Sequence, residues 1–143
     1  MKKILLPVLL LAVGTIFFFG QQPADARKYI SKKKRMAAAW FYLKGKATAR
    51  DLKYFCKGQC YNIRNRDLKN LCKGKCYNIR NRDLKNLCKN RCYNVRNRDL
   101  KNLCKGSCYN VRNRNLKAYC NKRCYNITNR KVKALCKRKC YNL

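Results

Sequence analysis

The sequence lacks two of the residue types on which most enzyme chemistry depends. None of its 143 residues is His, and its five acidic residues are all Asp, so Glu is absent as well. Most hydrolytic and proton-transfer sites need a His or a pair of carboxylates, and mixed Cys/His zinc sites need His as a ligand. The sequence therefore predicts neither an enzyme nor a resident cofactor.

Negative charge is scarce, whereas positive charge is abundant. Lys and Arg number 38, which gives a net charge of +33 at pH 7 and a pI near 10.2. Self-repulsion on this scale disfavours a bare compact globule and attracts anionic partners. The composition therefore predicts a polyanion as the partner, although the same charge can also serve only to keep the surface soluble.

The N-terminal segment 1–26 has the three parts of a secretory signal peptide. Met1 is followed by two Lys, the segment 4–20 is uncharged and mostly apolar, and Ala-Asp-Ala at 24–26 forms a small-x-small cleavage site. We expect cleavage after Ala26 and a secreted or periplasmic protein with a bacterial style of signal. The alternative is an uncleaved N-terminal anchor, because about 17 apolar residues lie at the short end for a spanning helix.

The segment 50–143 is built from six copies of one short unit. The copies begin at a fixed interval, at Arg50, Arg66, Arg82, Arg98, Arg114 and Arg130. The decapeptide RNRDLKNLCK occurs three times unchanged, whereas the fifth and sixth units have drifted. A fixed period with atypical end units is typical of a repeat array in which each unit packs on its neighbours.

Within a unit the pattern predicts a helix of about two turns, then a turn, then Cys-Tyr-Asn-Ile. Asn65 can cap this helix, and Gly74 can take the left-handed conformation that ends it. Leu68, Leu71 and Cys72 share one helical face. We expect a mainly α, solenoid-like array of short helices cross-linked by disulfides. A small β-solenoid is the alternative, because an even period keeps equivalent residues on one face of a strand.

The 12 Cys alternate between C-x3-C and C-x11-C spacings, which in an exported chain indicates disulfides. One scheme pairs the two Cys of each C-x3-C, and the six complete C-x3-C groups favour it. The other joins Cys across each C-x11-C and leaves Cys56 and Cys140 at opposite ends of the array. A thiolate metal centre is a weaker alternative, because the usual spacing is C-x2-C. The candidates are Cys56, Cys60, Cys72, Cys76, Cys88, Cys92, Cys104, Cys108, Cys120, Cys124, Cys136 and Cys140.

A Tyr follows the second Cys of every unit. We expect these rings to fill the core with the hydroxyl at its rim. A ladder on which sugars or bases stack is the alternative. The residues are Tyr61, Tyr77, Tyr93, Tyr109, Tyr125 and Tyr141.

The regular cations are the strongest functional signal. In stacked units, Arg and Lys at fixed positions form parallel rows that suit envelope polymers, an anionic membrane or non-specifically bound nucleic acid. A structural envelope protein without a specific ligand is the alternative. The Arg row is Arg50, Arg66, Arg82, Arg98, Arg114 and Arg130, and the Lys row is Lys53, Lys69, Lys85, Lys101, Lys117 and Lys133.

Residues 27–49 form a basic lead segment that contains aromatic residues. Ser31 can cap a helix over residues 32–44. Trp40, Phe41 and Tyr42 beside a run of Lys and Arg suit contact with a membrane surface. Equally, the segment can cap the first repeat and bury these rings.

The string CYNIRNRDLKNLC resembles a pattern in uncharacterised bacterial secreted cysteine-repeat proteins, C-Y-x-I-x-x-x-D-L-x-x-x-C, over residues 60–136. The resemblance implies export and disulfides, with the C-x11-C unit as the recurring block. It implies no activity and no site residues.

Overall fold

The computed structural model describes residues 30–143, so the predicted signal peptide over 1–26 lies outside the described part. Seven α-helices and no strand occur among the described residues, which confirms the mainly α prediction; the β-solenoid alternative is wrong for them. One helix of the lead segment is followed by one helix from each repeat. These are α1 (Lys32–Leu43), α2 (Ala49–Cys56), α3 (Arg66–Lys73), α4 (Arg82–Cys88), α5 (Arg98–Lys105), α6 (Arg114–Cys120) and α7 (Arg130–Cys136).

A side-chain cap precedes every repeat helix. Asn65 Oδ1 accepts a hydrogen bond from the Leu68 amide at 2.9 Å, as predicted, and the same bond recurs in the four following units. In the first unit Thr48 and Asp51 form a reciprocal capping box. Helices of seven or eight residues are too short to be stable in isolation. Their stability must therefore come from the neighbouring units.

A residue in the left-handed conformation follows each repeat helix. Gly74 has φ +74°, as predicted, and Gly58 and Gly106 adopt the same conformation. A single 3₁₀ turn over Cys-Tyr-Asn then leads to the next cap. In the other three units the left-handed position holds a residue with a side chain: Asn90 (φ +60°), Lys122 (φ +61°) and Arg138 (φ +57°).

In each of the first four units a carboxylate binds the stretch of chain that leads into the next helix. Asp67 accepts hydrogen bonds from the amides of Arg80 (2.7 Å) and Asn81 (3.0 Å), and equivalent bonds recur at the other Asp positions. In the fifth unit the neutral Asn115 takes the same role through Oδ1. These bonds satisfy the last two main-chain amides of the unit, which lie directly before the next helix and outside the hydrogen-bond pattern of either helix. The four Asp of the described residues therefore fix the position from which each following helix begins.

The six repeat helices close into a ring. Each packs on the next along the chain, and α2 also packs against α7 and the final 3₁₀ turn. Helix α1 lies at the centre and contacts all six. Its residues 35–41 are consecutive and all buried, so the helix is covered on every side. The predicted Ser31 cap of this helix is confirmed, with Ser31 Oγ accepting from the Lys34 amide at 3.3 Å.

The disulfides follow the C-x11-C scheme, and the favoured C-x3-C scheme is wrong. Each of five bonds joins the 3₁₀ turn before a helix to the end of that helix, with Cα–Cα distances of 5.3–5.7 Å. The two Cys of one C-x3-C diverge, because the left-handed residue between them sends the chain on to the next unit. The five bonds are Cys60–Cys72, Cys76–Cys88, Cys92–Cys104, Cys108–Cys120 and Cys124–Cys136.

The sixth disulfide joins Cys56 to Cys140 across a sequence separation of 84, with a Cα–Cα distance of 5.6 Å. The prediction that the C-x11-C scheme strands these two Cys is wrong, because ring closure brings the first and last units into contact. All 12 Cys are thus paired, which indicates an oxidising setting. Within residues 30–143 no helix has both the length and the apolar character needed to cross a membrane.

Candidate anion-binding surface

The predicted Arg row forms a closed circle on the surface, which we call the Arg circle. Each of its six members lies at the start of a repeat helix and is exposed. Because the helices form a ring, equivalent side chains return to their starting point instead of running along an open array. The Lys row follows the same circle one turn along each helix, but only Lys117 is exposed and the other five are half-buried.

The repeated Tyr side chains also lie on the surface, and the prediction that they fill the core is wrong. Their exposed fractions are 72–83%. In each unit the core is filled instead by apolar helix residues and, in the first five units, by the Ile or Val two positions after the Tyr. Tyr77 is 80% exposed, for example, while Ile79 is 1% exposed. An aromatic ring that is exposed in every repeat is an unusual feature of a protein surface.

The disulfides place a Lys beside most of these Tyr rings. Tyr61 follows Cys60 and Lys73 follows Cys72, so the Cys60–Cys72 bond brings the two side chains together, with Lys73 Nζ 3.9 Å from the ring centroid. Ammonium groups at this distance interact favourably with the ring face. The other Tyr–Lys pairs are Tyr77–Lys89 (3.8 Å), Tyr93–Lys105 (4.2 Å) and Tyr125–Lys137 (4.3 Å).

The Lys of these pairs were not among the residues predicted to bind polyanions. The sequence signal was a Lys directly after the first Cys in five of the six units. The fifth unit has Asn121 at this position, which the Cys108–Cys120 bond pairs with Tyr109. That signal can be interpreted only once the Cys are correctly paired, because Lys73 and Tyr61 are distant in sequence. The surface thus offers exposed guanidinium groups together with Tyr rings that each lie against the ammonium group of a Lys in four of the units.

The aromatic residues predicted to contact a membrane lie mostly inside the ring. Trp40 and Phe41 belong to α1 and are 6% and 4% exposed, and Tyr42 is half-buried. Membrane contact through Trp40 and Phe41 therefore does not fit this fold, because the repeat helices cover both rings. The alternative, that the lead segment buries its aromatic residues against the repeats, agrees with the structure.

Comparisons with protein-family models, with curated proteins and with solved structures give no match to this chain. Its function must therefore be argued from the geometry of its own surface.

Proposed function

We propose that this is an exported, disulfide-locked cationic ring protein that binds polyanionic surfaces. The candidate ligands are envelope polymers, anionic membrane surfaces and, without sequence preference, nucleic acid. The observation that supports the proposal most directly is the repeated exposure of Arg and of Tyr–Lys pairs at fixed positions around a closed ring. Export to a secreted or periplasmic location is supported by the paired cysteines and by the signal-like segment 1–26.

The arrangement suits a long anion better than a small one. A polymer that runs along the Arg circle can meet several guanidinium groups in turn, and each contact releases counterions. The exposed Tyr rings add flat apolar faces on which sugars or bases can stack. The ring scaffold keeps these groups in place before binding, which reduces the entropy lost on association.

The proposal is tested by binding across a salt series. We expect a labelled single-stranded DNA and vesicles rich in phosphatidylglycerol to bind, with affinity falling steeply between about 50 and 200 mM salt. Vesicles of phosphatidylcholine are the neutral control. Absence of binding to every anionic probe at low salt contradicts the proposal. Regular oligomers on size-exclusion chromatography in that case favour the alternative, a structural envelope protein.

A set of Arg variants separates specific use of the circle from general charge. Arg66→Gln, Arg82→Gln and Arg98→Gln combined should weaken DNA binding and lower the slope of log K against log salt by about one per lost phosphate contact. The same three residues changed to Lys keep the charge and should retain most of the slope. An unchanged slope in the Gln variant places the binding elsewhere.

A further inference from the structure

A second basic feature lies away from the Arg circle, in a cleft at the first turn of α1. Its volume is about 320 Å³. The cleft is open to solvent on one side and is bounded by the ends of α6 and α7. Among the described residues, its lining includes four cationic side chains and one Tyr but no acidic residue: Lys32, Arg35, Lys122, Arg138 and Tyr119.

Arg35 is the innermost of these cations. It is only 8% exposed, and its Nε makes no hydrogen bond to any of the residues the structure describes. A buried cation with an unsatisfied donor is costly unless an opposite charge reaches it. No acidic side chain of the last repeats supplies this charge, because the segment 100–143, which includes α6 and α7, contains no Asp or Glu. An anion in the cleft would offset the positive charge of Arg35.

The pKa values of two neighbours of Arg35 in the cleft reflect burial beside positive charge. Burial, together with the positive charges of Lys122 and Arg35, lowers the pKa of Lys32. Burial raises the pKa of Tyr119 to about 12, so its hydroxyl stays neutral and donates to the Leu135 carbonyl at 3.3 Å. Cations that repel one another in a half-enclosed cleft bind an anion more strongly than separated cations do.

Three of the residues that line the cleft are departures from the repeat pattern. Tyr119 stands where most units have Leu, and Lys122 and Arg138 stand at the left-handed position where three units have Gly. A left-handed conformation costs free energy for a residue with a side chain. Such strain is found most often at functional sites. The drifted fifth and sixth units thus carry two strained cations beside the same cleft.

We propose that this cleft is a discrete binding site for a phosphate monoester group, such as that of a phosphorylated sugar. Guanidinium and ammonium donors fit a tetrahedral dianion, and Arg35 would contribute the innermost of them. The cleft is larger than a phosphate ion, so the remainder of a small ligand can lie between Tyr119 and the open side. This site is separate from the Arg circle and does not depend on polymer binding.

Isothermal titration calorimetry in a buffer free of phosphate tests the proposal. Glucose 6-phosphate and inorganic phosphate should each bind the oxidised protein at one saturable site, and glucose should not bind. Comparison of the two phosphates shows whether the ligand is the free ion or a phosphate on an organic group. If neither binds at a single site, the proposal is wrong.

Two substitutions restore the repeat pattern and provide the decisive comparison. Lys122→Gly combined with Arg138→Gly should weaken phosphate binding at least about tenfold, while the Tm stays equal or rises because the strain is relieved. A charge-matched control, Lys75→Gln combined with Arg80→Gln, removes two exposed cations elsewhere and should leave phosphate binding unchanged. Asn90→Gly is the control for the backbone change, because it places Gly at the same left-handed position without removing a charge.

Equal losses in the cleft variant and in the charge-matched control contradict a discrete site, because they show that only the total charge matters. Retention of DNA binding by the cleft variant is expected. Loss of phosphate binding and loss of polymer binding are therefore distinguishable failures.

Discussion

At the scale of single residues, the left-handed position after each helix shows how backbone geometry limits the sequence. Gly occupies it in three units, but Asn90, Lys122 and Arg138 adopt the same conformation. The sequence predicted this role for Gly74. Lys122 and Arg138 accept the conformation because the disulfides and the units on either side hold the chain there.

Gly106→Ala should lower the free energy of unfolding by about 1–2 kcal/mol. A Cβ added at Gly106 meets no described atom within 4 Å, so the whole loss comes from the φ of +74° and not from a clash. Urea unfolding with the disulfides intact measures the change. Ser107→Ala is the control, because Ser107 has φ −84° and should show almost no effect. A Gly106→Ala variant as stable as the parent contradicts the argument.

At the scale of the elements, the repeat helices depend on their neighbours more than on their own length. Each has a cap, one buried face and a disulfide, and the carboxylates of the first four units bind the two amides that precede the following helix. The sequence predicted the cap and the buried face from local spacing. It did not reveal the role of Asp67, because the amides of Arg80 and Asn81 lie 13 and 14 residues further along the chain, beyond the reach of local spacing.

Two substitutions at Asp83 should lower the free energy of unfolding by different amounts. Asp83→Ala leaves the amides of Arg96 and Asn97 without their partner and should cost about 2–3 kcal/mol. Asp83→Asn should cost about 1 kcal/mol, since a neutral acceptor remains. The measurement is again urea unfolding of the oxidised protein.

The fifth unit provides the reverse experiment at the same position. Asn115→Asp introduces the carboxylate that the other units have and should stabilise the protein by about 1 kcal/mol. If Asp83→Asn and Asn115→Asp change stability in the same direction, the carboxylate is not what links the units.

At the scale of the whole molecule, ring closure is the decisive feature. The closing bond Cys56–Cys140 spans a sequence separation of 84, and α1 fills the space that the ring encloses. A simple loop of this length would gain about 4.6 kcal/mol in the chain-entropy model. The other five disulfides shorten the covalent path around the ring, so the gain from the closing bond is smaller.

Replacing both Cys56 and Cys140 by Ser should therefore cost about 3–4 kcal/mol and loosen the contact between α2 and α7. Hydrogen exchange should then increase mainly in these two helices. Cys76→Ser combined with Cys88→Ser, which opens a short loop, is the matched control and should act mainly within its own unit. Uniform exchange changes in both variants would show that closure has no separate role. A non-reducing peptide map of the parent protein checks the six pairs directly.

The candidate anion-binding surface was predictable only in part. The Arg positions follow from the fixed period of the repeat, and they are exposed as a charged face should be. The Tyr residues could not be placed by pattern, because a Tyr at a regular position suits a core and a surface equally well. The sequence did not predict the cleft either, because Lys32, Tyr119 and Arg138 are far apart along the chain.

The sequence by itself determined the repeat, the two-turn helices, their Asn caps and the charge, because these depend on interactions within a few residues. Only the tertiary structure decided that the array closes around α1, that Cys56 bonds to Cys140, and that the Tyr rings face outward beside Lys. Closure depends on the small rotation between successive units, which arises from packing and from hydrogen bonds between units. No local spacing encodes that rotation, and six units happen to complete one circle around a single helix.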